Sequence, residues 1–226
     1  MFGAIANTIA ILVGTSLGSI LKQGIKERYQ DALFLAMGLA ASGIGLNTVI
    51  QNMPKSHYPV LFIVSLAAGS LLGAILQIDS HFNNLINRKS QSNLGKGLST
   101  ACLLHCVGSL SIIGPIMAAT KGDYTMLLTN ATLDLVTSMV FGASFGWGML
   151  LAAPVLFTWQ TSIYLISKFL SATFFTSDFI CELSIVGGFL ILASGISLLK
   201  LRDIKTLDLL PSLLFPLIFF LGKMLF

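Results

Sequence analysis

A chain of 226 residues that is 55% hydrophobic and only 10% charged is not a soluble globular domain, which carries roughly 25% charged residues. The formal net charge of +4 sits in short segments between apolar runs and gives no footprint for nucleic acid. At about 20 apolar residues per membrane pass, roughly seven or eight helices use nearly the whole chain and leave no room for a soluble domain.

The first apolar run, Phe2–Leu21, lacks a basic stretch ahead of it and is long enough to span, so it is expected to be retained rather than cleaved. The basic loop Lys22, Lys26, Arg28 follows. The second run is about Ala32–Ile50, ending at Asn52 and Pro54, and the third about Tyr58–Ile78. The polar segment Asp79–Lys96, with Arg88 and Lys89, is expected to hold a short surface helix. The fourth run, Gly97–Thr120, turns at Lys121-Gly122-Asp123 into the fifth, about Tyr124–Phe145. Gly146 and Gly148 mark a tight turn before the sixth, about Met149–Leu170. The seventh is about Phe179–Leu199. After Lys200, Arg202 and Lys205 comes the eighth, about Leu207–Phe226, where Pro211 and Pro216 each remove a backbone donor and bend the helix.

The first, third and seventh loops hold nine of the 13 Lys and Arg residues, against four (Lys55, Lys121, Lys168, Lys223) on the opposite side. The positive-inside bias places those three loops in the cytoplasm and both termini outside.

An internal repeat is expected. Ala41-Ser42-Gly43-Ile44-Gly45-Leu46 and Ala193-Ser194-Gly195-Ile196-Ser197-Leu198 agree at five of six positions. Asn7-Thr8 aligns with Gln160-Thr161, and Leu72-Gly73 with Leu221-Gly222. The fold expected is therefore all-α, one transmembrane domain over residues 1–226, with a first copy in 1–78, central helices in 97–145 and a second copy in 149–226. An odd number of passes between copies makes the repeat inverted, the ground plan of many secondary transporters, with the substrate near the midplane.

Asp134 lies close to the middle of its apolar run, whereas the other acids (Glu27, Asp31, Asp79, Asp123, Asp178, Glu182, Asp203, Asp208) sit in or near segments between runs and are expected near water. A carboxylate at bilayer depth costs a few kcal/mol on insertion scales and faces protein or a wet cavity. Asn130, Asp134 and Ser138 share a helical face, with both neighbours able to donate toward the acid. A protonated Asp134 bonded to another helix would serve structure alone; one that gains and loses its proton would couple proton movement to transport.

Gly108, Ser109, Ser111, Gly114 and Pro115 weaken the fourth run and suggest a broken, site-forming helix; an unbroken helix using small residues for close packing is the alternative. Asn7 and Gln160, equivalent in the repeat, could flank a substrate as donor and acceptor, or bond another helix. Gly14, Gly18, Gly69 and Gly73 are expected to serve packing. Cys102, His105 and Cys106 share a face, but three soft ligands do not make a closed metal site. Three cysteines form no disulfide framework. Trp147 suits an interface anchor and Trp159 a deeper pocket.

The stretches FGAIANTIAILVGTSLGSILKQGI, HCVGSLSIIGP, TLDLVTSMVFGASFG, PVLFTWQTSIYLIS and IVGGFLILASGISLL together resemble the bacterial membrane-protein family of domain of unknown function 554, the YdfK-like proteins. Cys106-Val107-Gly108-Ser109 through Gly114 is the most specific part. The resemblance implies a transport protein without naming its substrate. The chain departs from the family pattern at His105, where an apolar or aromatic residue is expected, and at Leu135, where glycine would favour close backbone packing.

The expected function is transport of a small solute or ion by alternating access in the bacterial cytoplasmic membrane, with Asp134, Asn130, Ser138, Asn7, Gln160, Cys106, Gly108, Ser109 and Ser111 lining the site. An ion channel or a non-transporting scaffold are the alternatives. No catalytic residues, metal or cofactor are expected, because no nucleophile–base pair shows in the spans. The partners expected are the bilayer, the solute and a second copy of the chain, with no nucleic acid.

Overall fold

The computed structural model describes residues 2–22, 27–81, 94–107, 109–169 and 176–225. Among them there are helices and turns and no strand. The helices are α1 (Phe2–Lys22), α2 (Glu27–Asn52), α3 (Leu61–Leu76), α4 (Leu94–Val107), α5 (Ser109–Thr120), α6 (Thr125–Phe145), α7 (Ala152–Phe169), α8 (Ser177–Leu198) and α9 (Leu214–Leu225). Short 3-10 segments precede three of the connections or helices: Met53–Lys55, Trp147–Leu151 and Thr206–Leu213. Most of the surface helix expected between Asp79 and Lys96 falls on 82–93, outside the described residues.

Among the described residues, five helical segments are long and apolar enough to cross a membrane: Phe2–Leu21, Thr125–Phe145, Trp147–Lys168, Ser177–Leu198 and Thr206–Lys223. α4 and α5 meet at 40° and make a sixth if taken as one broken pass. By this measure the eight expected passes number five or six. α3 is apolar but has 16 residues, about 24 Å at 1.5 Å per residue, short of the ~30 Å hydrocarbon core. α2 has 26 residues, with polar stretches at both ends (Glu27, Arg28 and Asp31; Asn47, Gln51 and Asn52) that lower its hydropathy.

Local chemistry explains the boundaries. α6 stops at Phe145 because Gly146 takes φ +84°, a conformation that L side chains disfavour, and its N–H still closes on the Gly142 carbonyl. The 3-10 segment Trp147–Leu151 then leads into α7, giving the tight turn the two glycines predict. Pro211 lies within the 3-10 stretch Thr206–Leu213, where its missing N–H interrupts the α-helical ladder ahead of α9. α8 begins where the Thr176 side chain accepts the Phe179 N–H at 3.2 Å.

Without a hydrophobic driving force between helices in lipid, association rests on close packing. Here glycines let backbones touch. A Cβ on Gly14 would meet the Leu135 carbonyl, one on Gly18 the Met139 carbonyl, and one on Gly142 the Thr15 carbonyl. Residue numbers rise together along this seam, so α1 and α6 run parallel. Gly14 thus supplies the close approach beside Asp134 although Leu135 stands where glycine was expected. α2 and α8 run antiparallel: Gly38 lies against Leu199, Ser42 against Gly195, Gly45 against Leu192 and Val49 against Gly188. α3 and the last segment are antiparallel too, Gly69 against Ser212 and Gly73 against Asp208. The glycines expected to serve packing do so.

Two buried clusters lie in the bundle. The larger includes Ile11, Leu98, Phe141, Leu156 and Leu190; the smaller includes Ile112, Ile163, Phe179 and Phe220, and Trp159 packs against both.

Candidate functional site

α6 turns its buried face, carrying Leu127, Asn130, Asp134, Ser138 and Phe141, into the bundle. α4 brings His105, two residues before that helix ends at Val107 and the chain bends into α5. His105 Nδ1 and Asp134 Oδ1 are 2.7 Å apart. The other carboxylate oxygen of Asp134 accepts from Asn130 Nδ2 at 2.8 Å. On the far side of the imidazole, Ser138 Oγ and His105 Nε2 are 3.3 Å apart. Phe141 packs edge-on to the His105 ring, with centroids 6.3 Å apart and planes at 70°.

The result is one linear chain, Asn130–Asp134–His105–Ser138. It is buried: relative exposures are 2% for His105, 5% for Asp134 and 1% for Ser138. A buried ionisable group that lacks partners is costly, whereas hydrogen bonds to charged groups return about 1.5–3 kcal/mol each. With a neutral imidazole, two proton placements keep every contact. In one, Nδ1–H donates to an anionic Asp134 and Ser138 donates to Nε2. In the other, a protonated Asp134 donates to Nδ1 and Nε2–H donates to Ser138 Oγ. The second placement holds one more proton than the first, so passing between them takes up or releases one proton without moving a heavy atom.

This corrects two sequence expectations. Ser138 bonds His105 and not the acid. A nucleophile-type hydroxyl does stand beside a base, because tertiary packing brings together residues 33 apart in sequence. The face shared by Cys102, His105 and Cys106 also divides. His105 turns to α6, while Cys102 and Cys106 line a pocket of about 580 Å³ with Pro154, Thr158, Trp159 and Leu210. Among the described residues no three His, Cys, Asp or Glu side chains converge.

The remaining candidates lie apart from this row. Gln160 Nε2 donates to Ser111 Oγ at 3.0 Å, tying α7 to α5. Its Oε1, and both polar atoms of Asn7, are buried with no hydrogen-bond partner among the described residues. No hydrogen bond therefore joins Asn7 to Gln160. Gly108 and the side chain of Ser109 lie outside the described structure. Trp147 is exposed, as an interface anchor would be.

Two acids expected near water are buried. Asp208 accepts the Asp79 N–H at 2.9 Å, and Asp79 in turn accepts the Leu207 N–H at 3.4 Å, a reciprocal cap joining the end of α3 to the last segment. Glu182 is 1% exposed. Its Oε1 accepts from Ser56 Oγ at 2.5 Å and from the Tyr58 N–H at 3.3 Å, while Oε2 has no partner among the described residues. Its place in the second turn of α8 suggested an interfacial position; the connection from Met53 to Tyr58 folds over it instead.

A family model described as "Protein of unknown function (DUF554)" matches residues 2–221. The chain is 55% identical over 216 residues to the "Uncharacterized membrane protein YdfK" of Bacillus subtilis (strain 168), covering 96% of this chain and 94% of that protein. It is 25% identical to the "Uncharacterized protein YqgA" of Escherichia coli (strain K12), over 95% of this chain and 94% of that protein. No solved structure matches the chain. The chain belongs to the DUF554 family of membrane proteins.

Proposed function

We propose that this protein carries a small solute or ion across the bacterial cytoplasmic membrane by alternating access, and that proton exchange within the Asp134–His105 pair couples to that movement. The observation that carries the reading is the 2.7 Å contact between His105 Nδ1 and Asp134 Oδ1, buried inside the bundle. Ionisable groups at such depth are rare and mark ion pathways or proton relays. His105 also sits at the 40° break between α4 and α5, and broken helices build transporter sites.

Helix directions support an eight-pass, inverted-repeat plan. In eight alternating passes the first and fifth run parallel, and the second and seventh, like the third and eighth, antiparallel; the glycine seams have these directions. The two matching hexapeptides cross each other, Ser42 against Gly195 and Gly45 against Leu192. A twofold axis in the membrane plane relating the copies would pass through this crossing. α1 and α7, the remaining pair, are also in contact.

The test is a thermal-shift screen of the purified protein against ions and metabolites, followed by counterflow of each stabilising compound in proteoliposomes containing a pH-sensitive dye. Solute exchange accompanied by proton movement, lost in Asp134→Asn, is the expected result. Solute counterflow that proceeds unchanged in that variant removes the pair from the mechanism, and absence of exchange for every stabilising compound removes the carrier.

One observation favours a second reading. Ser138, His105 and Asp134 follow the order of a hydrolytic triad, hydroxyl to imidazole to carboxylate. Against it, Ser138 is 1% exposed and lines neither the 580 Å³ pocket nor a smaller one of about 140 Å³ near Asp79. Labelling of Ser138 by a fluorophosphonate would favour hydrolysis; we take the protein not to be an enzyme.

A further inference from the structure

At the end of the bundle that carries the basic loops, the hollow of about 140 Å³ is walled by Asp79, Thr100, Ser197, Asp203, Lys205 and Thr206. It lies where the end of α8, the stretch leading to Thr206–Leu213, the end of α3 and the first half of α4 come together. Thr100, Ser197 and Thr206 are buried, whereas Asp203 and Lys205 are exposed.

Ser197 is the informative residue. Some serines inside these helices bond back to the carbonyl four residues earlier, as Ser99, Ser144 and Ser184 do at 2.8, 2.9 and 2.6 Å. Others, Ser19, Ser42, Ser167 and Ser194 among them, have no partner among the described residues, and of these unpartnered serines Ser197 is the one that lines the hollow. Its Oγ has no hydrogen-bond partner among the described residues, and the residue is only 8% exposed. A buried hydroxyl without a partner costs about 1–3 kcal/mol, which a ligand oxygen or cation would return.

The lining selects the ligand. Among the described residues that line it, two carboxylates stand beside one ammonium. All the donors are oxygens, with neither thiol nor imidazole, which suits a hard cation or an ammonium group over a soft metal. The volume equals that of about four to five waters at roughly 30 Å³ each, enough for a small partly hydrated ion or a methylammonium-sized head. The reciprocal cap between Asp79 and Asp208 fixes one wall.

We propose that this hollow binds a small monovalent cation, with Ser197 Oγ as a buried ligand and the Asp79 and Asp203 carboxylates supplying the counter-charge. The proposal concerns binding and stands apart from whether the protein transports.

The experiment is thermal stability of the purified full-length protein in sodium, potassium or methylammonium chloride, with N-methyl-D-glucamine chloride as a bulky control at equal ionic strength. A saturable rise in melting temperature is expected with at least one of the three over the control. Preference for an alkali ion or for methylammonium identifies the kind of cation. Ser197→Ala should weaken the half-saturating concentration about tenfold, the size of one hydrogen bond to a charge, and Lys205→Gln should tighten it. Equal melting temperatures in all four salts overturn the proposal. So does stabilisation indifferent to Ser197→Ala, or a Lys205→Gln variant that binds more weakly.

Discussion

His105 Nδ1 lies 2.7 Å from Asp134 Oδ1 across the α4–α6 contact, and neither side chain reaches solvent. Each therefore depends on the other for its principal polar contact, and Asn130 and Ser138 complete the row at either end.

Asp134→Asn keeps the volume and a hydrogen-bonding oxygen but removes the titrating group. Proton-coupled flux in proteoliposomes should be abolished, while the folded state loses only about 1–3 kcal/mol. Flux and far-UV circular dichroism, measured on the same preparation, separate mechanism from misfolding.

The protonation pattern of the imidazole is directly observable. Nitrogen-15 spectra of histidine-labelled protein should show Nδ1 of His105 in a strong hydrogen bond that is lost in Asp134→Ala. In Ser138→Ala only the Nε2 signal should move. A spectrum in which both nitrogens ignore Asp134→Ala would detach the ring from the acid.

The glycine seams make opposite predictions for neighbouring positions. A Cβ on Gly18 would strike the Met139 carbonyl and the Ala143 N–H, so Gly18→Ala should force the helices apart and cost about 1–3 kcal/mol. A Cβ on Gly43 would meet nothing within 4 Å among the described residues outside its own helical backbone, and Gly43→Ala should be neutral or slightly stabilising, by about 0.4–1 kcal/mol. Denaturation in mild detergent compares the pair.

Glu182 holds the connection after α2 through Ser56 and Tyr58, and Lys223 donates to the Tyr58 hydroxyl at 2.6 Å. Glu182→Ala should release this segment. Amide exchange at Tyr58 should accelerate about tenfold or more, as expected from loss of about 1.5–3 kcal/mol of hydrogen bonding to a charged group, with little change at Asp134.

Orientation is checked by labelling single cysteines with a membrane-impermeant thiol reagent. Ser92→Cys should react only from the cytoplasm and His57→Cys, whose side chain is 71% exposed, only from outside. The opposite pattern inverts the topology.

Much of the bundle was legible in the chain because membrane helices announce themselves by composition. Gly146 gave the turn, the weak residues after Cys106 gave the break, and Gly14, Gly18, Gly69 and Gly73 gave the contacts, each a local property of a few residues. The depth of Asp134 and its bond from Asn130 followed from helical spacing. The partner of Asp134 did not: His105 lies 29 residues away on a helix whose rotation only packing decides. Glu182 was missed for a related reason. Distance along its own helix places it near the interface, and the segment that buries it comes from residues 53–58. Ser138 was assigned to the correct face but to the wrong partner, since one face of α6 meets two groups at once.

The bare-backbone seam between α1 and α6 has a mechanical consequence. Gly14, Gly18 and Gly142 seat each helix against carbonyls of the other, so sliding one along its mate would drive side chains into main chain. The two behave as a splinted beam with Asp134 fixed to it, whereas His105 rides on α4, beside the bend. Rocking of α4 against that beam would stretch the imidazole–carboxylate bond, so the alternating access proposed above would have to break this contact.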